Sequence, residues 1–239
     1  MTFENQIALV TGASRGIGKA LVQELLARGA KKVFALGKSE AILKAYAGDN
    51  RVVALRCDVA DMASVEKTAA KANDVGLVFS NAGVLDFGNI LDVSQDTLER
   101  NFATNFYGQL NIARSFAPII ERNGGGHITN VLTVVALVSM PALSAYNASK
   151  AAALSLTQSL RGDLAKKNIA VHAVFPGPVD TEMAAAITLP KTAPVDVAKA
   201  ILDGIAAGEE DIFPDPMAKQ VFAGWRADPK ALEKQFASM

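Results

Sequence analysis

Short, almost wholly apolar runs alternate with stretches of helical periodicity along the chain, and this alternation most limits the folds open to it. QIALVT (6–11), KKVFAL (the 32–37 region), RVVALR (51–56), VGLVFS (75–80), GHITNVLT (126–133) and IAVHAVF (169–175) read as strands. Between them IGKALVQELLARGA, SEAILKAY, MASVEKTAAKA, residues 97–122 and residues 144–167 read as helices. Gly29 closes the first helix, and Pro118 is expected to bend the fourth. Strands that are apolar throughout belong in a parallel sheet covered by helices on both faces. Right-handed crossovers wind such strands into an open, doubly wound sheet whose ligands sit beyond the carboxyl ends of the strands. A last strand around Ile212-Phe213 and helices carrying Trp225 should complete the α/β architecture. No linker rich in Pro, Gly or Ser divides residues 1–239, so one domain is expected.

Composition removes several function classes. The 24 Lys and Arg balance 24 Asp and Glu, so no global basic field points to nucleic acid or an anionic membrane. Cys57 is the only cysteine, which rules out an internal disulfide and a Cys-based metal cluster. His127 and His172 stand far apart in sequence with no carboxylate spacing around them and read as ordinary strand-end residues, so no metal site is expected. The start, MTFENQIALVTG, lacks the pattern of a signal peptide. ITNVLTVVALVSMPALSA is too interrupted to make a spanning helix of ~20 apolar residues. A soluble, cytoplasmic protein is the expectation.

Two short motifs carry chemistry. TGASRGIG (11–18) follows the first strand and opens an amphipathic helix, and its glycines stand at Gly12, Gly16 and Gly18. Small residues let the backbone approach a pyrophosphate, while a helix N-terminus aims free N–H groups at the anion. SAYNASK (144–150) places Tyr146 and Lys150 at i and i+4, on one helix face with Cβ atoms ~5–6 Å apart.

Together these motifs resemble the short-chain dehydrogenase/reductase family. TGxxxGxG is similar to its glycine motif and Tyr146-Asn-Ala-Ser-Lys150 to its YxxxK pair. Ser80-Asn81-Ala82-Gly83 resembles its NNAG, with Ser for the first Asn. Asp58-Val59 matches the adenine-contacting Asp, Asn105 the helix asparagine, and Pro176-Gly177 with Thr181 the PG…T segment. The resemblance implies a single-domain, Rossmann-like fold and a nicotinamide dinucleotide held by Gly12, Ser14, Arg15, Gly16, Ile17 and Gly18. It extends the cofactor site to Lys38, Ser39, Asp58, Val59, Asn81, Ala82, Gly83, Tyr146, Lys150, Pro176, Gly177, Val179 and Thr181. A homodimer or homotetramer, paired through the two long helices, is also implied.

Cofactor choice turns on the end of the second strand, where an NAD site usually places an acid on the ribose 2′-OH. Gly37 occupies that place, Lys38 follows, and Arg15 should lie nearby, whereas Glu40 comes three residues too late. Two cations without a carboxylate suit a 2′-phosphate, so NADP(H) is expected.

A tyrosine with a pKa near ~10 is a poor base at neutral pH. Lys150, as an ammonium on the same face, together with the positive charge of an oxidised nicotinamide, is expected to lower it, leaving Tyr146 to exchange a proton with a carbonyl oxygen as hydride moves. The resemblance gives Lys150 a second task on the nicotinamide ribose, and Asn105 one in placing a water. It also implies a serine thirteen residues before the tyrosine. That position is Thr133, a departure that keeps a hydroxyl but adds a methyl. Ser139 is the rival hydroxyl, in a loop expected to flank the pocket, and Ser144 reads as a helix N-cap.

Val134, Val135, Leu137, Val138, Met140 and Leu143, then Met183, Ile187 and Leu189, suggest an open, apolar substrate end. The short segment after Thr181 leaves little material to cover it. The expected activity is an NADPH-dependent carbonyl reductase or secondary-alcohol dehydrogenase. A reductase of 3-oxoacyl chains on acyl carrier protein and a non-catalytic NADP-sensing regulator are the alternatives.

Overall fold

The computed structural model describes residues 1–239. Seven strands pair in parallel: β1 (Ile7–Thr11), β2 (Lys32–Gly37), β3 (Val52–Arg56), β4 (Leu77–Ser80), β5 (Gly126–Val131), β6 (Ile169–Val174) and β7 (Asp211–Ile212). Their order, β3-β2-β1-β4-β5-β6-β7, reverses direction between β1 and β4 and opens a crevice at that point.

Alternation along each strand explains why the strand runs are apolar throughout. Ala8, Val10, Val33 and Ala35 turn to one face, against α1 (Gly16–Ala27) and α7 (Pro194–Ala207). Leu9, Phe34 and Leu36 turn to the other, against α3 (Met62–Lys71) and α5 (Gly108–Arg122). Each large side chain buried in these layers contributes about 1.5–3 kcal/mol. Helix propensities differ by only a few tenths per residue, so packing of the apolar stripes fixes the helices. Local signals set the ends: Asp61 accepts from Ala63 N–H at 3.0 Å at the start of α3, and Gly208, at φ 79°, stops α7.

The helix expected over 97–122 is three pieces. α4 (Gln95–Phe102) passes into a π-helical turn over Ala103–Tyr107 before α5, and the Gly108 N–H donates to Ala103 O, five residues back. α5 is a single helix with Pro118 inside it, so the one departure from α-helical winding over this stretch is the π turn. The last long helix, α6 (Ser144–Leu164), ends in a short 3-10 turn, and Asn168 leaves it in a left-handed conformation at φ 55°. Ser144 is the first residue of α6, with Leu143 at the cap, so it does not act as the N-cap. Its hydroxyl donates to Gly88 O at 2.6 Å and pins the loop after β4 to the start of α6. α2 (Ala41–Ala45) follows β2, and α8 (Pro216–Ala227) and α9 (Pro229–Ala237) form a C-terminal hairpin after β7.

Parallel pairing of β5 with β6 makes neighbours of His127 and His172. Their rings stack at 5.2 Å with His127 Nδ1 2.9 Å from His172 Nε2, which corrects their expected isolation. No third potential ligand joins them, so the pair does not form a metal cluster.

Candidate active site

The crevice between β1 and β4 opens into a cavity of about 1110 Å³ along the carboxyl ends of the strands. At its floor the glycine turn is tied to the loop after β4. Thr11 Oγ1 accepts from the N–H groups of Asn81 and Ala82, both at 2.9 Å, and Asn81 Nδ2 donates to Thr11 O at 2.9 Å. Contact is close enough to require glycine: a Cβ on Gly18 would lie 2.3 Å from Gly12 O, and one on Gly12 would lie 2.9 Å from Ala82 Cα. Gly12 and Gly16 also take positive φ, 64° and 53°. α1 starts at Gly16 with no side chain capping its first N–H groups and no acid in its first turn, so its dipole end is left for an anion. The cradle therefore fits a dinucleotide. Every residue expected to hold the cofactor borders the cavity except Gly18, which lies behind the turn and shapes it.

At the end of β2 the expectation of two unpartnered cations needs correction. Lys38 Nζ lies 2.8 Å from Asp58, and Arg15 is ion-paired with Glu182, which follows Thr181 across the cleft. Glu40 stays off the cavity wall, as its position predicts. A third cation was not anticipated. Arg56, opposite Gly37 on β3, donates from Nε to Lys38 O at 3.1 Å, borders the cavity, and holds Nη1 4.0 Å from Glu40. Only strand register reveals it, since eighteen residues separate it from Lys38.

At the other end α6 carries Tyr146 and Lys150 into the protein, where they are 9% and 3% exposed. Lys150 Nζ donates to Val131 O at 2.8 Å, an acceptor it shares with Gln109 Nε2 at 3.3 Å. Burial pushes the Tyr146 phenol up to about 12, opposed by a hydrogen bond with the Thr133 hydroxyl. Burial also brings the Lys150 ammonium down to about 8. The tyrosine is thus raised where its lysine was expected to lower it: burial is the leading cause, and Nζ is engaged by a backbone carbonyl. A phenol in this setting keeps its proton at neutral pH.

Thr133 stands at the end of the strand beside the tyrosine. Its Oγ1 donates to Pro176 O and accepts from Val135 N–H, each at 3.4 Å, long contacts that cost little to exchange. Ser139 is exposed and does not border the cavity, so it is no rival. Asn105 also lies off the cavity wall. It sits in the π turn with its amide fully engaged: Oδ1 accepts from Val84 N–H, and Nδ2 donates to Val84 O and Ser149 Oγ, all at 2.9 Å. Its side chain clamps the loop carrying Gly83 to α6.

The substrate end is apolar, as its sequence suggests, but Leu137 and Val138 do not reach it. Met217 of α8, with Phe236 and Met239 at the end of the chain, also line it, which was not expected; Met217 and Phe236 belong to the apolar cluster that holds Val134 and Val135. Asp215, 2% exposed, fixes α8 to the cofactor side by accepting from the N–H groups of Gly177 and Ala218, each at 2.8 Å.

Comparison with known proteins places this arrangement. The short chain dehydrogenase family matches residues 6–191. Oxidoreductase UcpA of Salmonella typhimurium is 33% identical over 209 residues, covering 81% of this chain and 79% of that one. A short chain dehydrogenase from Burkholderia cenocepacia, solved in complex with NADP, is 34% identical, covers 99% of both chains and superposes with a TM-score of 0.93. One from Burkholderia phymatum, solved with NAD, is 26% identical over 98% of this chain and 96% of that one, with a TM-score of 0.87. With the family match spanning most of the sequence and the glycine turn, tyrosine and lysine meeting in one cleft, the chain belongs to the short-chain dehydrogenase/reductase family of oxidoreductases.

Proposed function

We propose that the protein is an NADP(H)-dependent carbonyl reductase, equally a secondary-alcohol dehydrogenase in reverse, acting on an apolar ketone or aldehyde. The observation that carries this reading is a buried Tyr146 beside Thr133, facing a cavity walled by Val134, Val135, Met183 and Phe236. The nicotinamide cofactor supplies or accepts the hydride when bound. Tyr146 Oη gives its proton to the carbonyl oxygen in reduction and takes it back in oxidation, and its high pKa suits the first of these. Thr133 exchanges its long contacts for a hydrogen bond to the same oxygen, where charge develops. Lys150 faces the tyrosine ring with Nζ 5.8 Å from its centroid, and its ammonium stabilises the phenolate left after transfer.

The cofactor assignment draws on the cations around the end of β2 and on the similarity to the NADP complex from Burkholderia cenocepacia. A cytoplasmic homodimer or homotetramer completes the proposal; no helix is long and apolar enough to cross a membrane. Following NADPH and NADH absorbance with a panel of aryl and alkyl ketones and a 3-oxoacyl carrier substrate tests the reading. Turnover of apolar ketones with NADPH is the expected result. A clear NADH preference overturns the cofactor assignment, and turnover of the carrier substrate alone overturns the substrate assignment. Light scattering checks the assembly, for which a clean monomer is the contrary result.

A further inference from the structure

We propose that Arg56 is a specificity-determining residue for the 2′-phosphate of the cofactor, an inference that rests on the NADP(H) reading above. Three cations border the cavity around the end of β2, and each stands differently towards its carboxylate. Lys38 is held at 2.8 Å by Asp58, and Arg15 is paired with Glu182. Arg56 has only a distant partner, Glu40 at 4.0 Å, and Glu40 does not border the cavity.

Position supports the same assignment. Gly37 ends β2, where the ribose 2′ position is read in sheets of this type, and Arg56 is its register partner on β3. Gly37 brings no carboxylate to this place, and the space its own Cβ would take is filled by apolar Ile42, 2.9 Å away, so no acid on β2 competes for the neighbouring arginine. The Nε–H···O=C bond from Arg56 to Lys38 fixes the base of the guanidinium at 3.1 Å and leaves both terminal nitrogens able to donate. That is the donor set for a two-pronged hydrogen bond to phosphate, which a lysine cannot reproduce. Held to the Lys38 backbone, the guanidinium is also positioned before the ligand arrives, which reduces the entropy lost on binding. Lys38 must leave Asp58 to contribute, whereas Arg56 need break no close ion pair.

Isothermal titration with 2′,5′-ADP and 5′-AMP isolates this contact, because the two probes differ by one phosphate and neither requires turnover. Arg56→Gln should weaken 2′,5′-ADP by about 10- to 100-fold, the range of a charge-assisted hydrogen bond, and leave 5′-AMP within about twofold. Arg56→Lys should recover part of the loss, as a point charge without the fork. Undiminished 2′,5′-ADP binding in Arg56→Gln overturns the inference, as does an equal loss for both probes, which would mark a general disturbance of the loop. If the unaltered protein itself binds 2′,5′-ADP no better than 5′-AMP, the NADP(H) reading fails instead.

Discussion

β5 and β6 bring buried titratable groups together at both of their ends, and the two ends use them differently. Beyond the carboxyl ends, Tyr146 is pushed up to about 12 and Lys150 down to about 8. Near the amino ends, His127 is pushed down to about 4 by burial and by its neighbour His172, itself lowered by burial. A shifted pKa alone would not separate catalyst from scaffold. What separates them is the surroundings: a glycine cradle, an uncapped helix start and an apolar wall at one end, and at the other a cavity of about 500 Å³ beside Arg161, whose guanidinium is spent on the backbone oxygens of Val171 and Glu210. Changes at the carboxyl end should therefore remove turnover and spare the fold, while changes at the amino end should do the reverse.

The largest effect is expected from Tyr146→Phe, which removes the proton that the substrate oxygen receives. Turnover should fall by about 10²- to 10⁴-fold, with the melting temperature close to that of the unaltered protein. Retained turnover would dissolve the contrast between the ends, because the buried phenol would then be scaffold too. Thr133→Val comes next: it keeps the shape, removes the donor and should cost about 10²-fold in kcat, while Thr133→Ser keeps most activity. Ser139, exposed and away from the cavity, is not placed to take over, so an active valine variant would show that Tyr146 does not need the Thr133 donor.

Lys150 gives a pH signature in place of a simple loss. With its ammonium lowered to about 8, kcat/KM for reduction should be level below that pH and decline above it, about tenfold per unit, as the charge is lost. Lys150→Arg should be slower but should lack this limb, since a guanidinium stays charged throughout. A limb that persists unchanged in the arginine variant would assign it to another group.

Much of the architecture could be read before the structure because strands buried on both faces are apolar without interruption, as Leu9 and Val10 illustrate on opposite faces of β1. The cradle was legible for a related reason: Gly12 and Gly18 leave no room for a Cβ, so geometry dictates residue type. What stayed hidden depends on spatial neighbours. Arg56 gains meaning only through its register with Gly37, and Phe236 through the return of the C-terminal hairpin to the cleft. The π turn around Asn105 was illegible because a single five-residue turn between two α-helical stretches is too short to set a periodicity of its own. The upward shift of Tyr146 was not legible because residue spacing reports the nearby ammonium and says nothing of burial.

The amino end supplies the smallest effect and the sharpest control. His127 faces His172, whose Nδ1 in turn lies 2.6 Å from Glu209 O, with Arg161 and Glu210 lining the same recess. Unfolded, His127 binds a proton near pH 6.5, but folded it resists until about 4, so the unfolded state holds more protons between those values. Stability should consequently be full above about pH 6.5 and fall as the pH drops towards 4. Because the ring is only partly buried, solvent screening limits the loss to about 1–2 kcal/mol. Thermal melts from pH 7.5 to 4.5 should show a steeper decline for the unaltered protein than for His127→Gln, a neutral residue with no imidazole to charge. Turnover of the variant at pH 7.5 should match the unaltered enzyme. Parallel melting curves would show that the pair does not govern acid stability, and a loss of turnover at pH 7.5 would show that the two ends of these strands are not independent.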